Sequence, residues 1–163
     1  MTAPSTWGWT ALPFLFAGFD AERAITPGLL VGVLALTAPF GLLRRGLDDA
    51  VAGRSGISPP ATAVAIAAIG VPSLVLLAVL GGVVPAVFVG LAAVLAAWRL
   101  VPQLRALDQP WVEPLAVGTQ STLIVAAGLT LGGRPFDEVP GLAAVAFGAW
   151  SAATATLRPP SQE

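Results

Sequence analysis

Apolar residues fall in long unbroken runs along the chain, and polar and charged residues are gathered between them. The first run, Trp7–Phe19, is short and closed by Asp20, Glu22 and Arg23. It needs tilt or Thr6 and earlier residues to cross a bilayer, because a crossing takes about 20 residues. The second run begins at Pro27, a residue suited to a first helical turn, and ends at Leu43 where Arg44 and Arg45 stop it. The third starts at Pro59 or Pro60 after Ser58, a plausible cap, and reaches Leu80 with Pro72 inside it. Gly81 and Gly82 make a minimal uncharged turn into a fourth run, Val83–Trp98, so the third and fourth are expected to form a tight hairpin. A polar connection from Arg99 to Glu113 leads to a fifth run, Pro114–Leu131, ended by Gly132-Gly133-Arg134-Pro135. A sixth runs from about Pro140 to Leu157, followed by Arg158 and a proline-rich tail.

Composition moves this pattern toward the membrane. Hydrophobic residues make up 56% and charged residues 10%, the mean hydropathy is +0.83, and soluble domains carry roughly a quarter charged residues. The reading is an all-α, polytopic transmembrane helix bundle of about six spans, with residues 1–163 forming one integral-membrane domain. Charge gives it a direction. Arg44, Arg45, Arg54, Arg99, Arg105 and Arg158 lie on one set of alternate connections, and only Arg23 and Arg134 lie on the other, each with acids nearby. The positive-inside rule then places both termini in the cytoplasm, and dropping the first span would move only the N-terminus. The N-terminus lacks a positive region and a small-residue cleavage site, so it reads as a retained helix anchored by Trp7 and Trp9. Residues 29–45 and 86–105 share a loose pattern of small and aliphatic residues ending in arginine, read as shared membrane composition rather than a repeat.

Missing residue types remove whole classes of chemistry. Every cation is arginine, and histidine, cysteine, tyrosine and lysine do not occur. Disulfides, thiol nucleophiles, iron–sulfur clusters, haem with His or Cys ligation, Schiff-base lysines and histidine-bound zinc are excluded. A metal could be held only by oxygen, which favours Mg²⁺. With net charge −1 and dispersed arginines, nucleic acid is not an expected partner. Such arginine-only, Ala- and Gly-rich usage fits a GC-rich prokaryote, and the expected location is its cytoplasmic (inner) membrane.

Two groups of residues could carry chemistry. Arg44, Arg45, Asp48, Asp49 and Arg54 could line the cytoplasmic mouth of the bundle, the arginines gripping a diphosphate and the carboxylates holding Mg²⁺ against its oxygens. The bland alternative is that Arg44, Arg45 and Arg99 serve topology alone. Adjacent Asp48 and Asp49 diverge by about 100° on a helix, so they do not face one point easily. Residues a turn further on, Ala52 and Gly53, add no carboxylate. The second group, Thr119-Gln120-Ser121-Thr122, is the most polar stretch inside a predicted helix. It could line a cavity or bind a headgroup, or serve helix–helix packing. Pro13, Pro39, Pro72 and Pro85 are expected to kink helices or mark their ends.

Trp9-Thr10-Ala11-Leu12-Pro13-Phe14, the helix end Ala38-Pro39-Phe40-Gly41-Leu42-Leu43 and the segment Gly46-Leu47-Asp48-Asp49 resemble the UbiA-type prenyltransferase superfamily, nearest its lycopene elongase branch. The resemblance continues through Gly53-Arg54-Ser55-Gly56-Ile57-Ser58, through Leu100-Val101-Pro102-Gln103-Leu104-Arg105 and through the Gly-rich exit from Gly128 to Pro135. It implies a membrane enzyme joining an isoprenoid diphosphate to an apolar acceptor, a carotenoid or quinone precursor, with Mg²⁺ held by aspartate-rich motifs. The first such motif has the form Asn-Asp-x-x-Asp-x-x-x-Asp, which falls here on Asp48, Asp49, Ala52 and Gly56, so only Asp49 keeps its role. The second motif and the further helices of relatives are not found in these residues. Neutralising a leaving diphosphate takes two facing carboxylate clusters, and one incomplete cluster does not supply them. The expectation is therefore a small membrane protein, non-catalytic alone, that binds an isoprenoid or lipid or serves as a subunit beside a homo-oligomeric copy or a membrane protein partner. An active Mg²⁺-dependent prenyltransferase is the alternative, and a small transporter or unrelated membrane subunit the second.

Overall fold

A computed structural model describes residues 7–22, 24–36, 59–97, 111–133 and 135–156. All regular structure among them is helical. In chain order the helices are α1 (Trp7–Glu22), α2 (residues 27–36), α3 (Pro59–Leu80), α4 (Val83–Ala97), α5 (Val112–Leu129), a short 3-10 turn Leu131–Gly133 and α6 (Glu138–Thr156).

The local chemistry of the boundaries explains most of them. Thr26 caps α2: its hydroxyl accepts the Leu29 backbone N–H at 3.2 Å, and Pro27 fills the first helical position, where no N–H is needed. Between α3 and α4 the turn depends on Gly82, at φ +110, a conformation that side chains rarely adopt. At the end of α5, Thr130 is buried yet satisfied, its hydroxyl donating to the carbonyls of Ala126 at 2.9 Å and Ala127 at 3.2 Å. Gly132 and Gly133 follow with φ of 69 and 78, ending the helix as glycines do. Pro13 and Pro72 lie inside α1 and α3, whereas Pro85 sits in the first turn of α4, where its missing N–H costs no helix bond. Pro39 lies outside the described residues.

α5 is the hub of the bundle, packing against α1, α4 and α6. Its residues 124–128 are all buried. The main core joins Phe14 of α1, Leu29 and Leu36 of α2, Leu77 of α3, Val89 of α4 and Ile124 of α5. A smaller cluster, Val125, Ala126 and Ala144, fastens α6 to the other side of α5.

Glycine sets how closely the helices approach. At the α5–α6 crossing, Gly118 and Thr122 face Gly148 and Ala152. A Cβ on Gly118 would stand 2.9 Å from both the Ala152 methyl and the Gly148 carbonyl oxygen, and one on Gly148 would overlap the Thr122 hydroxyl. Gly128 makes the matching contact with α1, where a Cβ would come within 2.7 Å of the Phe14 carbonyl oxygen. Small residues one turn apart are the means by which apolar helices bring backbones together.

Three short connections collect at one end of the bundle. The Gly132 backbone N–H donates to the Gly81 carbonyl at 3.3 Å. A Cβ on Gly28, at the start of α2, would lie 2.8 Å from the Gly81 Cα. These are the connections around 20–26, 81–82 and 132–139, which the charge pattern assigns to one side.

The all-α expectation holds for the described residues. Among those same residues no helix is long and apolar enough to cross a membrane, so the six-span topology is not shown by helix length.

Candidate functional site: an apolar groove between three helices

Several hydroxyls of the described helices are bonded to their own backbones. Ser73 donates to the Ile69 carbonyl at 2.8 Å, Thr119 to Leu115 at 2.9 Å, Thr122 to Gly118 at 3.0 Å and Thr154 to Ser151 at 2.9 Å. A hydroxyl that bonds the carbonyl one turn back needs no water, and this is how Ser and Thr are carried in apolar surroundings. Among the described residues no buried side-chain polar atom lacks a partner.

Each described helix also exposes large apolar side chains. Phe16 of α1 is 69% exposed, and Leu30 and Leu34 of α2, Val75 and Val79 of α3, Val87 and Val94 of α4, Leu115 of α5 and Leu142 and Val145 of α6 are exposed as well. Isolated exposed aliphatics are ordinary on soluble proteins, but such residues on every helix are not.

Within this surface α1 and α6 stand apart over α5 and leave an open groove of about 390 Å³. Its α1 wall is Leu12, Pro13, Phe16 and Ala17; Val125 of α5 lies at its floor level, and Ala143, Phe147 and Trp150 of α6 form the other wall. The ring centroids of Phe147 and Trp150 lie 5.5 Å apart with their planes tilted by 48°, within the separation at which aromatic pairs attract. The groove exists because two glycine contacts hold its walls at fixed distances. Gly128 seats α1 on α5, and the Gly118–Gly148 pair seats α6 on α5.

The residues singled out from sequence fall differently. Arg44, Arg45, Asp48, Asp49 and Arg54, the candidate diphosphate and Mg²⁺ ligands, lie outside the described residues. Among the described residues no group of three or more possible metal ligands comes together. The polar stretch of α5 is split. Thr119 is exposed, while Thr122 stands in the α5–α6 crossing against Gly148, in the packing role that was one of its two readings. Pro13, one of the prolines expected to kink a helix, lies in the groove wall, but the rest of the lining is not legible in sequence, since it comes from helices far apart in the chain and from common apolar residue types. A further signal is Trp150, a large aromatic well inside the last apolar run. Compared with known proteins, the chain matches no family model, no curated protein and no solved structure.

Proposed function

We propose that this chain is a small integral-membrane helical bundle of a prokaryotic cytoplasmic membrane that holds an isoprenoid or other lipid and is not catalytic alone. The observation that carries the reading is the apolar surface on all the helices together with a groove lined by apolar side chains. In water that surface is a large unfavourable exposure; in hydrocarbon it costs nothing. The backbone-bonded hydroxyls and the glycine crossings support the same environment. So does the sequence between Arg54 and Arg99, which contains no ionisable residue.

The resemblance to UbiA-type prenyltransferases supplies the isoprenoid part of the proposal. Ala52 and Gly56 stand where that family has aspartates, so Asp48 and Asp49 alone would have to hold Mg²⁺. A subunit role has one observation of its own. The first half of α3 exposes Ala61, Ala65, Ala67 and Ala68 beside Val64 and Ile69, and small residues are common in helix contacts within membranes.

Two measurements test the proposal. Membranes from cells producing the protein are washed with alkaline carbonate; the protein should stay in the pellet, and release into the wash would end the membrane reading. Binding of geranylgeranyl or farnesyl diphosphate is then measured with and without Mg²⁺ for wild type and Asp49→Ala. The non-catalytic reading expects binding indifferent to both changes. Mg²⁺-dependent binding that disappears in Asp49→Ala would instead establish a surviving diphosphate site and favour the enzyme.

A further inference from the structure

Ligand sites ordinarily combine apolar walls with a few placed polar groups that fix orientation. Of the side chains lining the α1–α5–α6 groove, only Trp150 carries a heteroatom. Walls of this kind favour hydrocarbon by burial, at about 25 cal/mol per Å², and offer nothing to select a headgroup.

In a bilayer crossed by α6, Trp150 would lie away from the headgroup level. At 1.5 Å per residue it lies roughly 18 Å from the start of α6 and roughly 9 Å from its end. Tryptophan in membrane proteins favours the headgroup level, and this ring instead leans on Phe147 as part of the groove wall. The groove is open sideways rather than enclosed. Leu12, Phe16 and Trp150 are all about half exposed or more, so its lining continues without a break into the outer apolar surface of α1 and α6.

We infer that the groove holds one hydrocarbon tail of a bilayer phospholipid, which enters laterally from the membrane while its headgroup stays at the surface. The inference rests on the membrane reading and narrows its isoprenoid-or-lipid ligand to an acyl chain. Continuity with the bilayer-facing surface identifies the source, and the absence of polar walls argues against a ligand chosen by its head.

The full chain is incorporated into phosphatidylcholine vesicles and floated on a density gradient, then extracted in mild detergent for native mass spectrometry. Wild type should retain one phospholipid. Ala143→Phe, which fills the groove, and Trp150→Ala, which removes a wall, should lower the lipid-bound fraction about tenfold, the effect of losing a few buried methylene contacts. Val145→Phe, on the exposed surface of α6 outside the lining, should retain lipid as wild type does. Circular dichroism and melting of each variant identify any that fail to fold.

A protein that does not float removes the membrane reading and the inference together. Flotation without a retained phospholipid, or equal retention in folded Ala143→Phe and Trp150→Ala, overturns the inference and leaves the membrane reading standing. An isoprenoid retained in preference to phospholipid, when protein taken from native membranes is analysed in the same way, overturns the choice of occupant.

Discussion

Gly148 and Gly90 are both helical glycines, and their surroundings give them opposite worth. Gly148 lies in the α5–α6 crossing, where a side chain would meet the Thr122 hydroxyl and the Gly118 backbone. Both neighbours are part of a packed helix, so neither yields as the far end of a flexible chain would. Gly148→Leu is expected to destabilise the protein by about 1–3 kcal/mol, the range for overpacking a fitted contact. It should also disturb the groove, because α6 carries Phe147 and Trp150. Gly90 in α4 has only the Leu74 Cδ1 nearby, 3.7 Å from a built Cβ, which is ordinary contact. There the glycine costs backbone entropy and returns nothing, so Gly90→Ala should stabilise by about 0.5–1 kcal/mol. Melting of both variants in one detergent checks the pair, and a loss in Gly90→Ala as large as in Gly148→Leu would remove packing as the explanation. The repeated Gly, Ala and Thr of α5 and α6 could be seen in the sequence. Which of them touch could not, because Gly118 and Gly148 come from different helices and are matched only by how those helices cross.

At the scale of the elements, helix ends were legible where backbone chemistry forces them. The third run was expected to start at Pro59 or Pro60 and end at Leu80, and α3 spans Pro59–Leu80. The Gly81-Gly82 turn and the Gly132-Gly133 stop also lie where glycine was expected to act. At the start of α5 the helix begins at Val112, two residues before the expected Pro114, because proline is accommodated in the first turn and need not be the first residue. Element partners were less legible. The hairpin α3–α4 follows from its short turn, but the central place of α5 does not follow from anything local to it. In its run of small residues, Ala126-Ala127-Gly128, Gly128 is what lets α1 approach it, and that run reads in sequence as membrane composition. Two substitutions separate conformational from packing control of these ends. Gly82→Ala has space, its nearest neighbour being Pro85 at 3.6 Å, yet should cost about 1–2 kcal/mol through φ +110 alone. Thr26→Ala should cost about 1 kcal/mol by uncapping α2, and Thr26→Ser should restore most of it. Failure of serine to rescue in the melting measurement would show that the threonine methyl, not the cap, is what matters.

For the whole molecule the gathered connections are the feature that links sequence charge to architecture. Gly28, Gly81 and Gly132 meet at one end, and the connections they belong to are those with few arginines. Up-and-down alternation of six helices gathers these connections at one end, whether or not the helices cross a membrane. Under the membrane reading, this end faces away from the cytoplasm, since the arginine-rich connections are retained inside. The chain contains no cysteine, so a single introduced thiol reports its own location without background. Asp137→Cys, on the exposed connection before α6, should react with an impermeant maleimide in intact cells. Asp108→Cys, in the connection between Arg105 and Glu113, should react only after the membrane is permeabilised. Reversed labelling would keep the spans and invert the orientation. Labelling of both positions from the same side would mean that an odd number of crossings does not separate them, and the six-span topology would fail even if the protein remained bound to membranes.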